Sequence, residues 1–190
     1  LDKLGSFHWQ KRKAEAKKKI KDAASKLISI AAKRLQSSSY VINFEPSDYD
    51  KFSSTFPFIE TDDQLNAIED VMKDFKKKTP SDRLIVGDVA FGKTEVIIRA
   101  VYLAAKSNLQ SIILVPTTLL SKQHYENFTK RFEPFGIKVC QISRFISNKD
   151  KLSIIDKIKE GEVQVIVGTH ALLSDKISFK KLGLIIYDEE

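Results

Sequence analysis

The sequence predicts an α/β fold, with a parallel sheet covered by helices on both faces, preceded by a long basic helix and a linker. From Arg83 onward, short apolar runs alternate with helical patterns, which is typical of buried parallel strands joined by right-handed crossover helices. Residues 1–40 hold 11 Lys or Arg and three acidic residues, a net charge of +8, whereas the other 150 residues carry −1. We therefore divide the chain into a basic helix at 1–36, a linker at 37–58 and an α/β lobe at 59–190.

The composition argues against a membrane or secreted protein. Hydrophobic residues make up 42% of the chain, but no run of about 18 apolar residues occurs. The first ten residues lack the apolar segment of a signal peptide. The single cysteine, Cys140, excludes an internal disulfide and lies in a predicted strand, as a small core residue would. We expect a cytoplasmic protein without a membrane partner.

The first element is a helix over residues 7–36. It carries a narrow apolar stripe at helical spacing, made of Ile20, Ala24, Leu27, Ala31 and Leu35. Seven Lys or Arg residues crowd its first half. They form either a solvated cationic face, which is common on exposed helices, or a surface for phosphates or an acidic partner.

The next elements are the linker and a second helix. Residues 37–58 are polar and turn-rich, with aromatic residues that would pack the linker against the lobe. A helix follows from Thr61, because Thr61 and Gln64 match a capping box. Its apolar face comprises Leu65, Ile68, Met72 and Phe75, and Pro80 lies beyond its end.

The lobe itself is predicted from five apolar runs and three helical patterns. The strands are expected at 83–86, 111–115, 137–142, 163–167 and 184–188, and the helices at 93–107, 118–132 and 148–160.

A phosphate-binding loop lies between the first predicted strand and its helix. The segment matches G-x-x-x-x-G-K-[ST], in the strand–loop–helix context that this motif requires. Its backbone amides and the helix N-terminus would hold phosphates, while Lys93 would reach the β- and γ-phosphates and Thr94 would ligate magnesium. The alternative is a glycine-bearing turn before an ordinary helix. The candidate ATP-binding residues of this segment are Gly87, Asp88, Val89, Ala90, Phe91, Gly92, Lys93, Thr94 and Glu95.

A pair of acidic residues follows the last apolar run. Asp188 and Glu189 come directly after residues 184–187. A carboxylate at the end of a buried strand can hold magnesium, and its neighbour can orient the attacking water. We therefore predict Lys93, Asp188 and Glu189 as catalytic residues, with Thr94 and Asp188 as magnesium ligands.

These motifs resemble those of superfamily 2 helicases. The segments GDVAFGKTEV, VPTTLLSKQHYENFTKRF, ISRF, GTHALL and LIIYDEE are similar to successive motifs of a RecA-like helicase lobe, and more narrowly to the bacterial transcription-repair coupling factors. The resemblance runs along the whole chain. A lobe of the branched-DNA helicase RecG is the alternative, although TTLL, SRF and DEE favour the coupling factors.

The resemblance implies roles for further residues. Gln64 would read the adenine edge of ATP, rather than serve only as a helix cap, with Phe58 near the base. DNA-backbone contacts are implied for Thr117, Thr118, Arg144, Thr169 and His170; the alternative is that these are ordinary loop residues. His124 is interpreted as a packed residue and not a catalytic one.

The resemblance also implies the function of the whole protein. It would be an ATP- and magnesium-dependent translocase on double-stranded DNA that displaces stalled RNA polymerase and recruits nucleotide excision repair proteins through regions outside these residues. A second lobe would supply arginines to the γ-phosphate, so we expect negligible ATP turnover from the 190 residues alone. Two other classes are a nucleotide kinase, for which VPTTLL and GTHALL have no role, and a binding module whose basic helix is the active part.

Two expectations concern the backbone around the phosphate loop. The resembling family has Gly where Ala90 stands, so Ala90 costs on the order of 1 kcal/mol if its φ is positive and nothing if its φ is negative. The strand that would lie beside the phosphate-loop strand comes later in such proteins. A gap or altered pairing is therefore expected in this sheet.

Overall fold

The computed structural model describes residues 7–88, 90–143, 146, 148–174 and 177–188, and its contacts divide the chain into two compact units. The first unit comprises Leu1–Ser39 and Lys77–Ser81. Its helix α1 (Phe7–Gln36) has the bounds that the sequence predicts. From Trp9 onward every side chain of α1 except half-buried Arg34 is exposed, including the apolar stripe.

The second unit comprises Tyr40–Lys76 and Asp82–Glu190 and contains the sheet. Its helices are α2 (Pro46–Ser53), α3 (Asp62–Phe75), α4 (Lys93–Lys106), α5 (Thr118–Phe132) and α6 (Asn148–Glu160). Its strands are β1 (Gln110–Leu114), β2 (Val139–Ile142), β3 (Val165–Gly168) and β4 (Leu182–Tyr187). Short 3₁₀ helices span Glu133–Phe135 and His170–Leu173.

The four strands form a parallel sheet in the order β2-β3-β1-β4. Leu114 at the end of β1 lies opposite Gly168 of β3 and Tyr187 of β4. The backbone N–H of Asp188 extends this pairing by donating to the Leu114 carbonyl at 2.9 Å. The carboxyl ends of these strands therefore meet at one edge of the sheet, where parallel α/β folds bind ligands.

Apolar residues cover both faces of the sheet, which confirms the predicted fold class. Ile113 of β1 packs into a cluster that includes Val101 of α4 and Phe128 of α5, whereas Ile112 packs on the opposite face with Ile158 of α6. Cys140 belongs to the second cluster, and burial raises the pKa of its thiol to about 12. Its thiol therefore stays protonated and serves as a small core group.

The strand predicted at 83–86 is not observed. The structure assigns neither helix nor strand to residues 81–88, and Leu84 and Val86 are 86% and 85% exposed. A strand needs a neighbour for its backbone hydrogen bonds, and the four strands of the described residues pair only with one another. This agrees with the expected gap in the sheet. Outer strand β4 is also incompletely covered, with Tyr187 60% exposed.

The stretch interpreted as a linker contains a helix that the sequence reasoning missed. Helix α2 begins with Pro46 at its first helical position, where proline is favoured because no N–H is needed there. Phe52 of α2 is fully buried, and its ring stacks on that of Tyr102 at a centroid distance of 3.8 Å. The expectation that aromatic residues pack this stretch against the lobe agrees with that contact.

Candidate nucleotide-binding site

The phosphate loop connects an unpaired extended segment to the N-terminus of α4. Gly92 is the N-cap of this helix and has a φ of +72°. Because glycine lacks a polar side chain, no side-chain hydrogen bond caps the first turn of α4. Gly87, Asp88 and Ala90 are exposed. The N-terminal amides of α4 thus lie next to an exposed loop, and the helix dipole favours an anion at this position.

Lys93 is folded against the loop. Its ammonium group donates hydrogen bonds to the carbonyl oxygens of Gly87 at 2.5 Å and Asp88 at 2.9 Å. The lysine thus lies within the loop and must exchange these carbonyls for a phosphate when it binds one. Ala90 has a φ of +67°, so the strained alternative foreseen for this residue is the observed one.

Thr94 and Glu95 differ in where they lie. Thr94 is half-buried in the first turn of α4, whereas Glu95 is only 4% exposed and faces the interior. The Glu95 carboxylate accepts from Arg99 at 2.9 Å and from Arg131 at 3.0 and 3.3 Å. Arg99 also pairs with Glu60. The Glu95 side chain is therefore committed to a buried ionic network, which argues against the direct ATP contact expected for it.

Gln64 makes the capping box that the sequence predicts. Its Oε1 accepts from the Thr61 N–H at 3.0 Å, and its own N–H donates to the Thr61 hydroxyl at 3.2 Å. In addition, Gln64 Nε2 donates to the Phe91 carbonyl of the phosphate loop at 3.0 Å. Both ends of the Gln64 amide are thus engaged within the protein. Phe58 is 72% exposed and packs edge-on against Phe56.

The described residues expected to contact DNA follow strands at the carboxyl edge of the sheet. Thr117 caps α5 by accepting from the Leu120 N–H at 3.2 Å, which leaves its own O–H free to donate, and Thr118 begins the helix. Thr169 and His170 follow β3, and His170 is exposed. Val89, Arg144 and Glu189 lie outside the described residues.

Asp188 is bonded to a residue that sequence reasoning left as mere packing. His124 of α5 is 7% exposed, and its Nε2 lies 2.7 Å from Oδ2 of Asp188, whose side chain is 13% exposed. The sequence carried no local signal for this contact, because it depends on the pairing of β1 with β4, the strand that Asp188 follows. No described contact joins Lys93 to Asp188. Lys93 donates to the carbonyls of Gly87 and Asp88, whereas Asp188 contacts His124 and Leu114.

The donor set fits a nucleotide and magnesium. An ammonium group and uncapped helix amides suit phosphate oxygens, and the Thr94 hydroxyl and Asp188 carboxylate are the hard oxygen ligands that magnesium prefers. Among the described residues, no three His, Cys, Asp or Glu side chains gather as a metal site. Magnesium commonly binds through one or two protein oxygens together with phosphates and water, so two protein ligands would suffice.

Comparisons with known proteins agree with this arrangement. The family model for DEAD/DEAH box helicases matches residues 61–190. The transcription-repair-coupling factors of Rickettsia conorii and Escherichia coli are 48% and 42% identical to this chain over its full length. The chain spans 17% of the length of each. In the described residues, no helix has the length and apolar character of a membrane span.

Solved structures show the same fold. One, titled "Structure of RecG bound to three-way DNA junction", superposes with a TM-score of 0.80 at 31% identity, covering 85% of this chain and 22% of that one. A hypothetical ATP-dependent RNA helicase from Sulfolobus tokodaii superposes with a TM-score of 0.58 at 16% identity, covering 76% of this chain and 41% of that one. From its matched helicase segment and its fold, the chain belongs to the DEAD/DEAH box helicase family, and along its whole length it is similar to one segment of the transcription-repair coupling factors.

Proposed function

We propose that these residues form the ATP-binding half of a motor that moves along double-stranded DNA. The observation that carries the proposal is the phosphate loop, where Lys93 and the open N-terminus of α4 converge. Lys93 would bind the β- and γ-phosphates, and Thr94 and Asp188 would hold magnesium. When bound, magnesium neutralises phosphate charge and lowers the barrier to phosphoryl transfer. Phe58 and Gln64 would contact the base, for which Gln64 must release one of its present bonds.

Calorimetric titration of ATP with magnesium tests the nucleotide site. We expect the wild-type chain to bind, and Lys93→Ala to bind about ten-fold more weakly or worse, because a charge-assisted hydrogen bond is lost. Lys106→Ala is the matched control, since Lys106 is an exposed lysine at the other end of the same helix. Equal affinities in all three proteins would refute the proposal.

The carboxyl edge of the sheet is the proposed DNA surface. Thr117, Thr118, Thr169 and His170 would contact the phosphate backbone, assisted by the N-terminal amides of α5. Such binding depends on salt and not on base sequence. We expect duplex DNA binding to weaken in Thr117→Val, in which the hydroxyl is lost. If Thr117→Val binds duplex DNA as tightly as wild type at every salt concentration, this role is wrong.

The whole protein is proposed to be a transcription-repair coupling factor in the cytoplasm. Its ATP-driven translocation would displace stalled RNA polymerase and bring in nucleotide excision repair proteins, through regions outside the 190 residues. This rests on identities of 41–48% to proteins of that name. Hydrolysis would need arginines from a second lobe, so the 190 residues should bind ATP without appreciable turnover.

A RecG-like motor on branched DNA is the second candidate. The superposition with a RecG structure at a TM-score of 0.80 favours it. The two candidates differ in preferred DNA, so a competition between linear duplex and a three-way junction of equal length separates them. Preference for the junction would favour the RecG-like motor.

A further inference from the structure

His124 is held in one orientation near the end of the sheet. It lies on the buried face of α5, and its ring packs against Phe128 at a centroid distance of 5.4 Å. Its Nε2 contacts Oδ2 of Asp188 at 2.7 Å, while its Nδ1 has no hydrogen-bond partner in the described part of the chain. A buried imidazole is costly unless it is hydrogen-bonded, so the bond to Asp188 accounts for a polar side chain at this position.

Asp188 is fixed by two different elements. Its backbone N–H donates to Leu114 of β1, which places its Cα at the end of β4. Its side chain is oriented by α5, because Oδ2 is the oxygen that His124 holds. Within the described residues the other oxygen, Oδ1, has no hydrogen-bond partner, so it is available to a ligand. Carboxylates that bind metals are commonly held by such a second hydrogen bond, and its removal typically weakens the site about 10- to 100-fold.

We propose that His124 is a positioning residue, which holds Oδ2 of Asp188 and so presents Oδ1 to the magnesium of a bound nucleotide. The inference rests on the proposed function, because it assigns Asp188 to magnesium. His124 lies seven residues after Thr117, on the helix whose N-terminus is proposed to meet DNA. The bond thus ties that helix directly to the metal carboxylate.

Two amide substitutions of His124 test the inference. The Nε2 of Gln occupies nearly the position of a histidine Nε2, so His124→Gln can still donate to Asp188. The shorter His124→Asn cannot reach it, although its chemistry is the same. ATP affinity is measured for each protein with magnesium and with EDTA, and the magnesium enhancement is the ratio of the two. We expect the enhancement to fall about ten-fold in His124→Asn and to stay within about three-fold of wild type in His124→Gln. Affinity in EDTA should not change.

Phe128→Leu is the control for general damage, because it disturbs the packing of His124 without removing the bond to Asp188. We expect it to lower the melting temperature and leave the magnesium enhancement unchanged. If Phe128→Leu lowers the enhancement as much as His124→Asn does, or if Asn and Gln behave alike, the positioning role is wrong. If wild type binds no ATP, the proposed function fails first. If wild type binds and His124→Asn keeps its full enhancement, only the role of His124 fails.

A double-variant cycle supplies a readout that needs no nucleotide. Thermal unfolding is followed for His124→Asn, Asp188→Ala and the combination, because alanine leaves no oxygen to accept from His124. Because the two side chains share one bond, we expect the combined loss in melting temperature to be smaller than the sum of the single losses. Additive losses would show that the bond is absent in solution and would overturn the inference.

Discussion

Two residues of the phosphate loop lie in the left-handed backbone region. Ala90 has a φ of +67° and Gly92 a φ of +72°. Glycine adopts this region freely, whereas the Cβ of alanine meets a steric penalty there. The lack of a side chain at Gly92 also leaves room for Gln64, since a Cβ at Gly92 would lie 2.3 Å from Gln64 Nε2. The loop therefore tolerates a strained residue at one position and depends on a missing side chain at the other.

Replacing Ala90 with glycine is expected to relieve strain. The left-handed penalty for alanine is on the order of 1 kcal/mol or more, part of which glycine returns through its larger unfolded-state entropy. We expect Ala90→Gly to bind ATP several-fold more tightly, measured by calorimetry, with no loss of stability. Asn108→Gly is the control. Asn108 also has a positive φ, +57°, but asparagine adopts this backbone region more readily than alanine, and Asn108 lies outside the phosphate loop. An unchanged ATP affinity in Ala90→Gly would show that the loop conformation does not limit binding.

Replacing Gly92 with alanine separates backbone strain from the contact with Gln64. Gly136 has nearly the same φ, +70°, but a Cβ there would meet nothing within 4 Å. Both substitutions carry the backbone penalty of about 1 kcal/mol, but only Gly92→Ala must also displace Gln64 and break its bond to Phe91. We expect Gly92→Ala to cost about 1 kcal/mol more than Gly136→Ala in denaturant unfolding. Equal costs would mean that the Gln64 bond contributes no stability.

At the scale of elements, α2 and the residues after it are joined to α4 and α5 by buried charges. The Arg131 guanidinium lies 5.0 Å from the centroid of the Phe52 ring and pairs with Glu95. Arg99, only 3% exposed, pairs with both Glu95 and Glu60. The segment that precedes α3 is thus bound to the helix that follows the phosphate loop. Movement of that segment would disturb α4, and the reverse, because a buried charge that loses its partner destabilises the fold.

Removing the Glu60 carboxylate is expected to destabilise the fold in a pH-dependent way. The hydrogen bond from Arg99 holds the pKa of Glu60 below its ordinary value of 4.5. A lowered pKa in the folded state stabilises the protein above the unfolded pKa, and this contribution is lost as the pH falls through the folded pKa. We expect Glu60→Gln to lose about 1 to 2 kcal/mol at pH 7 and the difference from wild type to shrink below about pH 4.5.

Denaturant unfolding across pH measures the effect of Glu60→Gln. Glu69→Gln is the control, because Glu69 forms an exposed pair with Lys73 at 3.7 Å and such pairs contribute little. A loss in Glu60→Gln that does not depend on pH would indicate lost packing and not lost charge.

Local patterns predicted the helices well and the long-range contacts poorly. Helix α5 was expected at 118–132 and spans Thr118–Phe132, because its cap and its spacing are encoded nearby. The run at 83–86 has strand-like composition, but a strand forms only where a neighbour pairs with it. Helix α2 was missed although Pro46 marks its start. The bond between His124 and Asp188 joins residues 64 positions apart, which periodicity does not reveal.

At the scale of the whole molecule, the carboxyl edge of one sheet gathers the described DNA candidates and Asp188. Thr117, Thr169 and Asp188 each follow a strand whose last residues lie side by side. The nucleotide candidates begin at Phe58, so every described one belongs to the second compact unit. The basic helix belongs to the first unit, and its charge is separate in sequence from these residues. This arrangement allows the two regions to be tested independently.

Removal of residues 1–36 is expected to leave ATP binding intact. No described candidate ligand of ATP or magnesium lies in that segment, so the affinity for ATP with magnesium should stay within about two-fold of wild type in calorimetry. Retained binding by the shortened chain shows that the remaining unit is folded, and a loss of about ten-fold or more in its Lys93→Ala variant shows that the site is the same one. Duplex DNA affinity, measured across salt concentrations on both chains, then assigns the charge of α1. A smaller salt dependence after removal means that its lysines contact phosphates, because each lost phosphate contact lowers the slope. An unchanged slope identifies α1 as a solvated face, and a large loss of ATP affinity would contradict the independence of the two regions.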